Sequence, residues 1–111
     1  MERGDPVSAY VIAYDVGTTG IKTCIFEIDK TIRLRAAAVE GYSLFIGENG
    51  AAEQDPFELW NAMCFTTQKV MRESGISKSS ICGISFCSQM QGLVLVDKEG
   101  EPVRRTMSYM D

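Results

Sequence analysis

Histidine is missing altogether from this sequence. That removes the side chain most often used as a general base near neutral pH and the commonest nitrogen ligand for a metal. Imidazole catalysis and His-ligated zinc are therefore excluded within the chain. Long apolar runs are missing too, and the opening MERGDPVSA lacks the apolar core of a secretion signal, so neither a membrane span nor a signal peptide is expected. No basic run occurs, and the formal net charge is −4, which argues against nucleic acid and anionic membrane as partners. The four cysteines, Cys24, Cys64, Cys82 and Cys87, follow neither a CxxC nor a zinc spacing. They are expected as reduced, buried thiols in a cytoplasmic protein.

What remains is an ordinary globular composition, 45% apolar and 23% charged, on a chain of 111 residues. That length makes one modest domain with a core, not two. Its organising stretch is Tyr10 to Ile28, YVIAYDVGTTGIKTCIFEI. Val11 to Tyr14 is a continuous apolar run suited to a strand buried on both faces. It ends on Asp15. Ile21 to Ile28, rich in β-branched and aromatic residues, brings the chain back as a second strand.

Between them, the chemistry of Gly17, Thr18, Thr19 and Gly20 suits a phosphate. The glycines permit dihedrals that other residues resist and a close backbone approach to a ligand. Successive backbone N–H groups in such a turn can form an anion-binding concavity. Two threonine hydroxyls add donors, and Lys22 could add a positive charge. Asp15 would repel a phosphate unless a cation lay between them; a hard ion such as Mg²⁺, held directly or through water, would serve. A plain hairpin with a Gly-rich turn fits the same residue types equally well. The spacing DVGTTGIK is neither GxxxxGK[ST] nor GxGxxG, and a strand follows where those motifs need a helix.

Around this stretch, residues 1–9 read as a flexible tail, with Gly4 and Pro6. Ile32 to Val39 reads as a third strand, its Ile32/Leu34 and Arg33/Arg35 alternation giving one exposed face. Gly41 to Gln54 reads as a loop, with a short edge strand around Ala51 to Glu53. Asp55 as N-cap, Pro56 at the first helical position and Glu58 in a capping box open a helix that Gly75 closes. Its apolar stripe is read as Phe57, Trp60, Met63, Cys64, Val70 and Met71, with Trp60 as a core anchor. Ile81 to Phe86 and Leu93 to Val96 follow as strands, and Asp97 to Gly100 as a turn. The order βββαββ predicts an α/β fold with a mixed sheet.

A second polar stretch, Ser88 to Gly92, interrupts the last two strands. Gln89 and Gln91 can each donate and accept, which suits sugar hydroxyls. On composition alone a solvated loop is the simpler reading.

DVGTTGIK resembles the first phosphate loop of the actin-like ATPases and, more narrowly, the N-terminal signature of the FGGY carbohydrate kinases, which include xylulokinase, gluconokinase and glycerol kinase. AEQDP (Ala52 to Pro56) followed by Trp60, SQMQG at Ser88 to Gly92, LVLVDKEGEPVRR, and Tyr109, Met110 and Asp111 are also similar to stretches of that family. The resemblance implies an incomplete actin-like ATPase (ribonuclease H-like) domain, with residues 10–111 the N-terminal part of the first of two domains. It implies ATP-dependent phosphorylation of a sugar, sugar acid or polyol by the full-length parent, with ATP and Mg²⁺ as cofactors. Gly17, Thr18, Thr19, Gly20 and Lys22 would meet the phosphate, Asp15 the metal, and Gln89, Met90, Gln91 and Asp111 the sugar. The catalytic base would lie beyond Asp111, leaving this fragment inactive alone. Gln91 stands for the family's usual histidine and Tyr109 for its tryptophan. The alternatives are a non-catalytic sugar- or phosphate-binding module and another actin-like ATPase. An open sheet edge would also permit a homodimer.

Overall fold

The computed structural model describes residues 8–89 and 92–108. Two strands flank the loop as expected: β1 (Ala9–Val16) and β2 (Gly20–Ile28) pair antiparallel, from Ala9 opposite Ile28 to Val16 opposite Ile21. β3 (Ile32–Gly41) joins β2 antiparallel. The chain then makes β4 (Phe45–Ile46), β5 (Ala52–Gln54), the helix α1 (Pro56–Ser74) and β6 (Ile81–Ser88), which returns parallel to β1. A parallel partner needs a crossover of a dozen or more residues, and α1 provides it. The main sheet runs β3-β2-β1-β6, so it is mixed, as the element order predicts.

Burial in β2 alternates: Ile21, Thr23, Ile25 and Glu27 face inward. α1 lies across β2 and β3, and the core joins Ile12, Tyr14, Ile21, Ile25, Ala38 and Tyr42 to Ala62 and Val70 of the helix. The caps fall where the residues place them. The Asp55 carboxylate accepts from the Phe57 N–H, Pro56 opens the helix, and Gly75 closes it at φ 69°, its N–H on the Met71 carbonyl. Glu58 does not complete a capping box; its carboxylate accepts from the backbone and hydroxyl of Ser43 instead, pinning the preceding loop.

Several expectations are corrected. The fully buried helix residues are Ala62, Thr66 and Val70; of the expected stripe Val70 is in the core and Met63 and Met71 pack against it, but Trp60 is 61% and Phe57 55% exposed. Small residues let the helix approach the sheet, and the Thr66 hydroxyl is satisfied by Thr23 at 2.7 Å and by the Ala62 carbonyl. Gly41 to Gln54 is not irregular: it carries β4 and β5, and β5 is the centre, not the edge, of a small sheet ordered β4-β5-β7, with β7 at Thr106–Met107. Leu93 to Val96 is no strand. It makes isolated bridges, Leu93 to Met107 of the edge strand β7 and Val96 to Pro102, and all four residues are exposed. The Asp97 to Gly100 turn does close, Gly100 donating to the Asp97 carbonyl at 3.0 Å. Ser8 and Ala9, expected in the tail, belong to the fold: Ala9 starts β1 and the Ser8 hydroxyl donates to Glu27. All four cysteines are free, but Cys82 and Cys87 are exposed on β6 and the other two are half-buried. β6 has a neighbour on one side only among the described residues.

β3 lacks the clean alternation expected of it. A register shift between Ile25 and Phe26 offsets its outer half, so Ile32 and Leu34 are exposed while Arg33 and Arg35 both reach Glu27. The Ser8 hydroxyl first, then Arg35 and Arg33, hold the Glu27 carboxyl below its ordinary pKa against the opposing effect of burial. Asp29 is lowered as well, mainly by the Thr31 N–H. With both folded values depressed, the unfolded chain takes up protons first on acidification. This contribution is therefore full above about pH 4.3, the ordinary glutamate value, and is lost as pH falls through the folded pKa. Urea midpoints measured from pH 6 down to pH 3 should fall, and Glu27→Gln should flatten that fall. Equal slopes in variant and wild type would reject the assignment.

Candidate functional site

The β1–β2 connection is closed by the Gly17 N–H on the Gly20 carbonyl at 2.9 Å. Every carbonyl in it is then occupied. The buried Tyr42 hydroxyl donates to Gly17 and, at 3.1 Å, to Gly20, while the Tyr42 N–H donates to Thr19 at 3.2 Å. The fully buried Gln54 donates from Nε2 to the Thr18 carbonyl at 2.5 Å. Among the described residues the N–H groups of Thr18 and Thr19 and both threonine hydroxyls meet no acceptor. The loop thus turns its acceptors into the protein and leaves its donors free.

Glycine matters here for space rather than for handedness. Neither Gly17 nor Gly20 has a positive φ, contrary to the sequence expectation. A Cβ on Gly20 would stand 2.7 Å from the Glu40 carbonyl oxygen, and one on Gly17 would stand 3.0 Å from the Gly20 carbonyl oxygen. The close approach is made by β3 and by the loop itself.

Asp15 is exposed near the tip of β1, with Lys22 opposite on β2 and Cys87 opposite on β6. A shallow cavity of about 320 Å³ holds Asp15, Lys22, Cys24, Phe26 and Cys87 on its walls, and none of Gly17 to Gly20. Lys22 is exposed and makes no ion pair among the described residues. The Tyr42 phenol is raised above its ordinary pKa, first by burial and then by the charge of Asp15. No cluster of three or more His, Cys, Asp or Glu side chains able to hold a metal occurs among the described residues.

Of the second stretch, Gln89 follows β6 and its N–H donates to the Val16 carbonyl at 2.8 Å. Its Nε2 donates to Gln54 Oε1 at 2.9 Å. Gln89 therefore connects through Gln54 to the loop. Met90, Gln91 and Asp111 lie outside the described residues. Sequence reasoning missed Tyr42 and the role of Gln54. Gln54 had a signal, since it stands in AEQDP; Tyr42 had none, because it sat in a stretch read as loop.

The family model for the N-terminal domain of the FGGY family of carbohydrate kinases matches residues 10–111. The chain belongs to that family, as part of its N-terminal domain. It is 32% identical to a xylulose kinase of Staphylococcus epidermidis over 95% of this chain, and 31% identical to a glycerol kinase of Mycoplasma pneumoniae over 92%. Among solved structures it superposes on a gluconate kinase of Lactobacillus acidophilus with a TM-score of 0.81 and 28% identity over 95% of this chain. The chain spans only about a fifth of each relative: 21%, 20% and 20% in the same order. No helix among the described residues is long and apolar enough to cross a membrane.

Proposed function

We propose that this chain is the phosphate-loop wall of a kinase whose full-length form transfers the γ-phosphate of ATP to a hydroxyl of a sugar, sugar acid or polyol. The observation that carries the reading is the loop from Gly17 to Gly20, with all its carbonyls tied down and the donors of Thr18 and Thr19 uncommitted beside Asp15. Such a loop offers hydrogen-bond donors to phosphate oxygens without reorganising, the condition under which electrostatic stabilisation is strongest. Lys22, across from Asp15, adds positive charge to the same end of the sheet. Asp15 is a lone carboxylate, which fits an ion that keeps most of its waters and arrives with a phosphate, and does not fit an all-protein cage. Mg²⁺, when bound, supplies charge neutralisation at the phosphates, and Asp15 is the residue that would hold it, directly or through water.

On the acceptor side, Gln89, Met90, Gln91 and Asp111 are the groups that would meet the sugar. The relatives are named for a sugar, a polyol and a sugar acid at similar identity, so the acceptor class is kept at that breadth. One wall of a cleft cannot position both reactants, and positioning supplies most of phosphoryl-transfer catalysis. This chain alone is therefore expected to bind weakly and not to turn over. Free thiols fit a cytoplasmic location. The test is release of ADP from MgATP by the full-length protein across a panel of pentuloses, sugar acids and glycerol. Saturable release with one acceptor class supports the reading; release that ignores every acceptor rejects it in favour of a plain ATPase.

A further inference from the structure

The two edges of the main sheet are not alike. β3, at one edge, carries Arg33, Arg35 and Glu40, and charge on an edge strand discourages pairing with another chain. β6, at the other, reads ICGISFCS, with no charge and no proline, and has a neighbour on one side only among the described residues. Gln89, just past this strand, donates its N–H to Val16 of β1. Peptide groups alternate in direction along a strand, so Ile84, Phe86 and Ser88 turn their N–H and C=O groups to the open side. The side chains add an apolar surface at the same edge. Ile84 lies opposite Ile12 and Phe86 opposite Tyr14, which places both on the face that α1 packs against. α1 lies across β2 and β3, leaving Ile84 58% and Phe86 55% exposed. Phe86 is set in place all the same, stacked on Tyr14 with ring centroids 5.1 Å apart.

We propose that the open edge of β6 is a dimer interface, at which β6 of a second copy of this chain pairs antiparallel about a two-fold axis perpendicular to the sheet. The inference goes beyond the phosphate reading and does not depend on it. A second copy fits because the edge is complementary to itself. With Ser85 on the axis, Ile84 of each copy stands opposite Phe86 of the other, an aromatic–β-branched pair of the kind that stabilises a ladder. A slip of two residues either way loses both of these pairs. A slip of one sets the apolar side chains of the two copies on opposite faces. Residues 1–7, outside the described ones, offer no competing strand: they carry Glu2, Arg3, Asp5 and Pro6, and proline cannot donate to a ladder. The two-fold contact uses up both open edges, so assembly closes at two copies, with one sheet ordered β3-β2-β1-β6-β6-β1-β2-β3. The antiparallel arrangement sends the two loops from Gly17 to Gly20 to opposite ends of that sheet.

The experiment uses this 111-residue chain in reducing buffer. Sedimentation equilibrium from micromolar to millimolar concentration is expected to show the mass rising to twice that of one chain and no further. Ile84→Lys puts a charge at the centre of the interface, at a position exposed in the single copy. It should weaken association by at least about thirtyfold, the scale of losing an interface hot spot, with the far-UV circular dichroism unchanged. The register is tested by oxidative cross-linking in a Cys82→Ser, Cys87→Ser background. There, Ser85→Cys is expected to give a disulfide-linked dimer, because facing residues of a non-hydrogen-bonded pair have Cα atoms about 4.5 Å apart, within disulfide reach. Gly83→Cys, on the same face, should give none, because its two copies would stand about 13 Å apart along the ladder. A single-copy mass at every concentration overturns the proposal and leaves the edge to another polypeptide segment. A dimer that Ile84→Lys does not weaken, or that cross-links through Gly83→Cys as readily as through Ser85→Cys, overturns the β6 pairing. Growth past two copies overturns the two-fold. Should Ile84→Lys fail to fold, the wild-type mass and the Ser85→Cys cross-link decide the matter without it.

Discussion

If the full-length protein is the kinase proposed above, Asp15→Ala in it is expected to lower turnover by at least about 10²–10³-fold, the effect of removing one preorganised oxyanion-hole donor. Acceptor binding should change little. The Asp15 carboxylate is exposed, joins no hydrogen bond or ion pair among the described residues, and stands outside the core formed by Ile12, Tyr14, Ile21 and Ile25. Its loss should therefore shift stability by no more than about 0.5 kcal/mol, as for surface positions generally. A carboxylate set beside unpaired N–H donors, with no structural task, has its effect through charge. Neither Gln89 nor Gln54 bonds to Asp15, so the proposed acceptor contact should survive its loss. Asp15→Asn keeps the shape and removes the charge, and it should match the alanine variant. In the 111-residue chain that same substitution should lower the Tyr42 pKa, because Asp15 is the second cause of its elevation after burial. Unchanged turnover, with Tyr42 titration shifted as expected, would remove Asp15 from the mechanism without disputing where it sits.

The parts of the fold that were legible in the sequence are those governed by local rules. Asp55, Pro56 and Gly75 set the ends of α1 through capping, which needs only neighbouring residues. The two strands around the loop follow from an apolar run, a polar break and a second apolar run. Legibility fails where a choice depends on what lies opposite. Of the expected stripe, Val70 is buried and Met63 and Met71 pack against the core, whereas the two aromatic side chains mark the wrong face. Trp60 and Phe57 stay exposed because the sheet accepts the narrow face of Ala62, Thr66 and Val70, and Thr66 hides its polarity in a hydrogen bond to Thr23. Leu93 to Val96 has the composition of a strand but makes only isolated bridges, to Met107 and Pro102. At the loop, the residue types pointed to Gly17 and Gly20, for a conformational reason the backbone does not show. What orients the loop is Tyr42 and Gln54, both distant from it in sequence; Gln54 stands in AEQDP, but nothing local ties either residue to the loop. The β-strands that bring them there, β3 and β5, could not be matched to the loop without their pairing.

Gly20→Ala is the second large effect, and it tests that long-range arrangement. The new Cβ would meet the Glu40 carbonyl oxygen at 2.7 Å, the Gly41 Cα at 3.2 Å and the Glu40 carbonyl carbon at 3.3 Å. All three are backbone atoms of β3, and none can rotate away as a side chain would. Gly20 pairs with Gly41, so relief requires β2 and β3 to part at the end of their ladder. The Tyr42 contacts to Gly17, Thr19 and Gly20 sit at that end and would be strained together. A loss of about 2–3 kcal/mol is expected, toward the upper part of the range for overpacking. Gly17→Ala, at 3.0 Å from the Gly20 carbonyl oxygen, should cost less. Gly83→Ala on β6 meets nothing within 4 Å and has no positive φ, so it should be neutral or slightly stabilising through its smaller unfolded-state entropy. Urea unfolding of the three variants, with unchanged slopes, gives the ranking directly. Should Gly20→Ala prove as stable as Gly83→Ala, β3 would not crowd the loop, and the carbonyl clamp by Tyr42 would lose its structural basis. Should the ranking hold, the amide resonances of Thr18 and Thr19 in Gly20→Ala should also lose their response to MgATP, since the donors of the loop face outward only while its carbonyls are held.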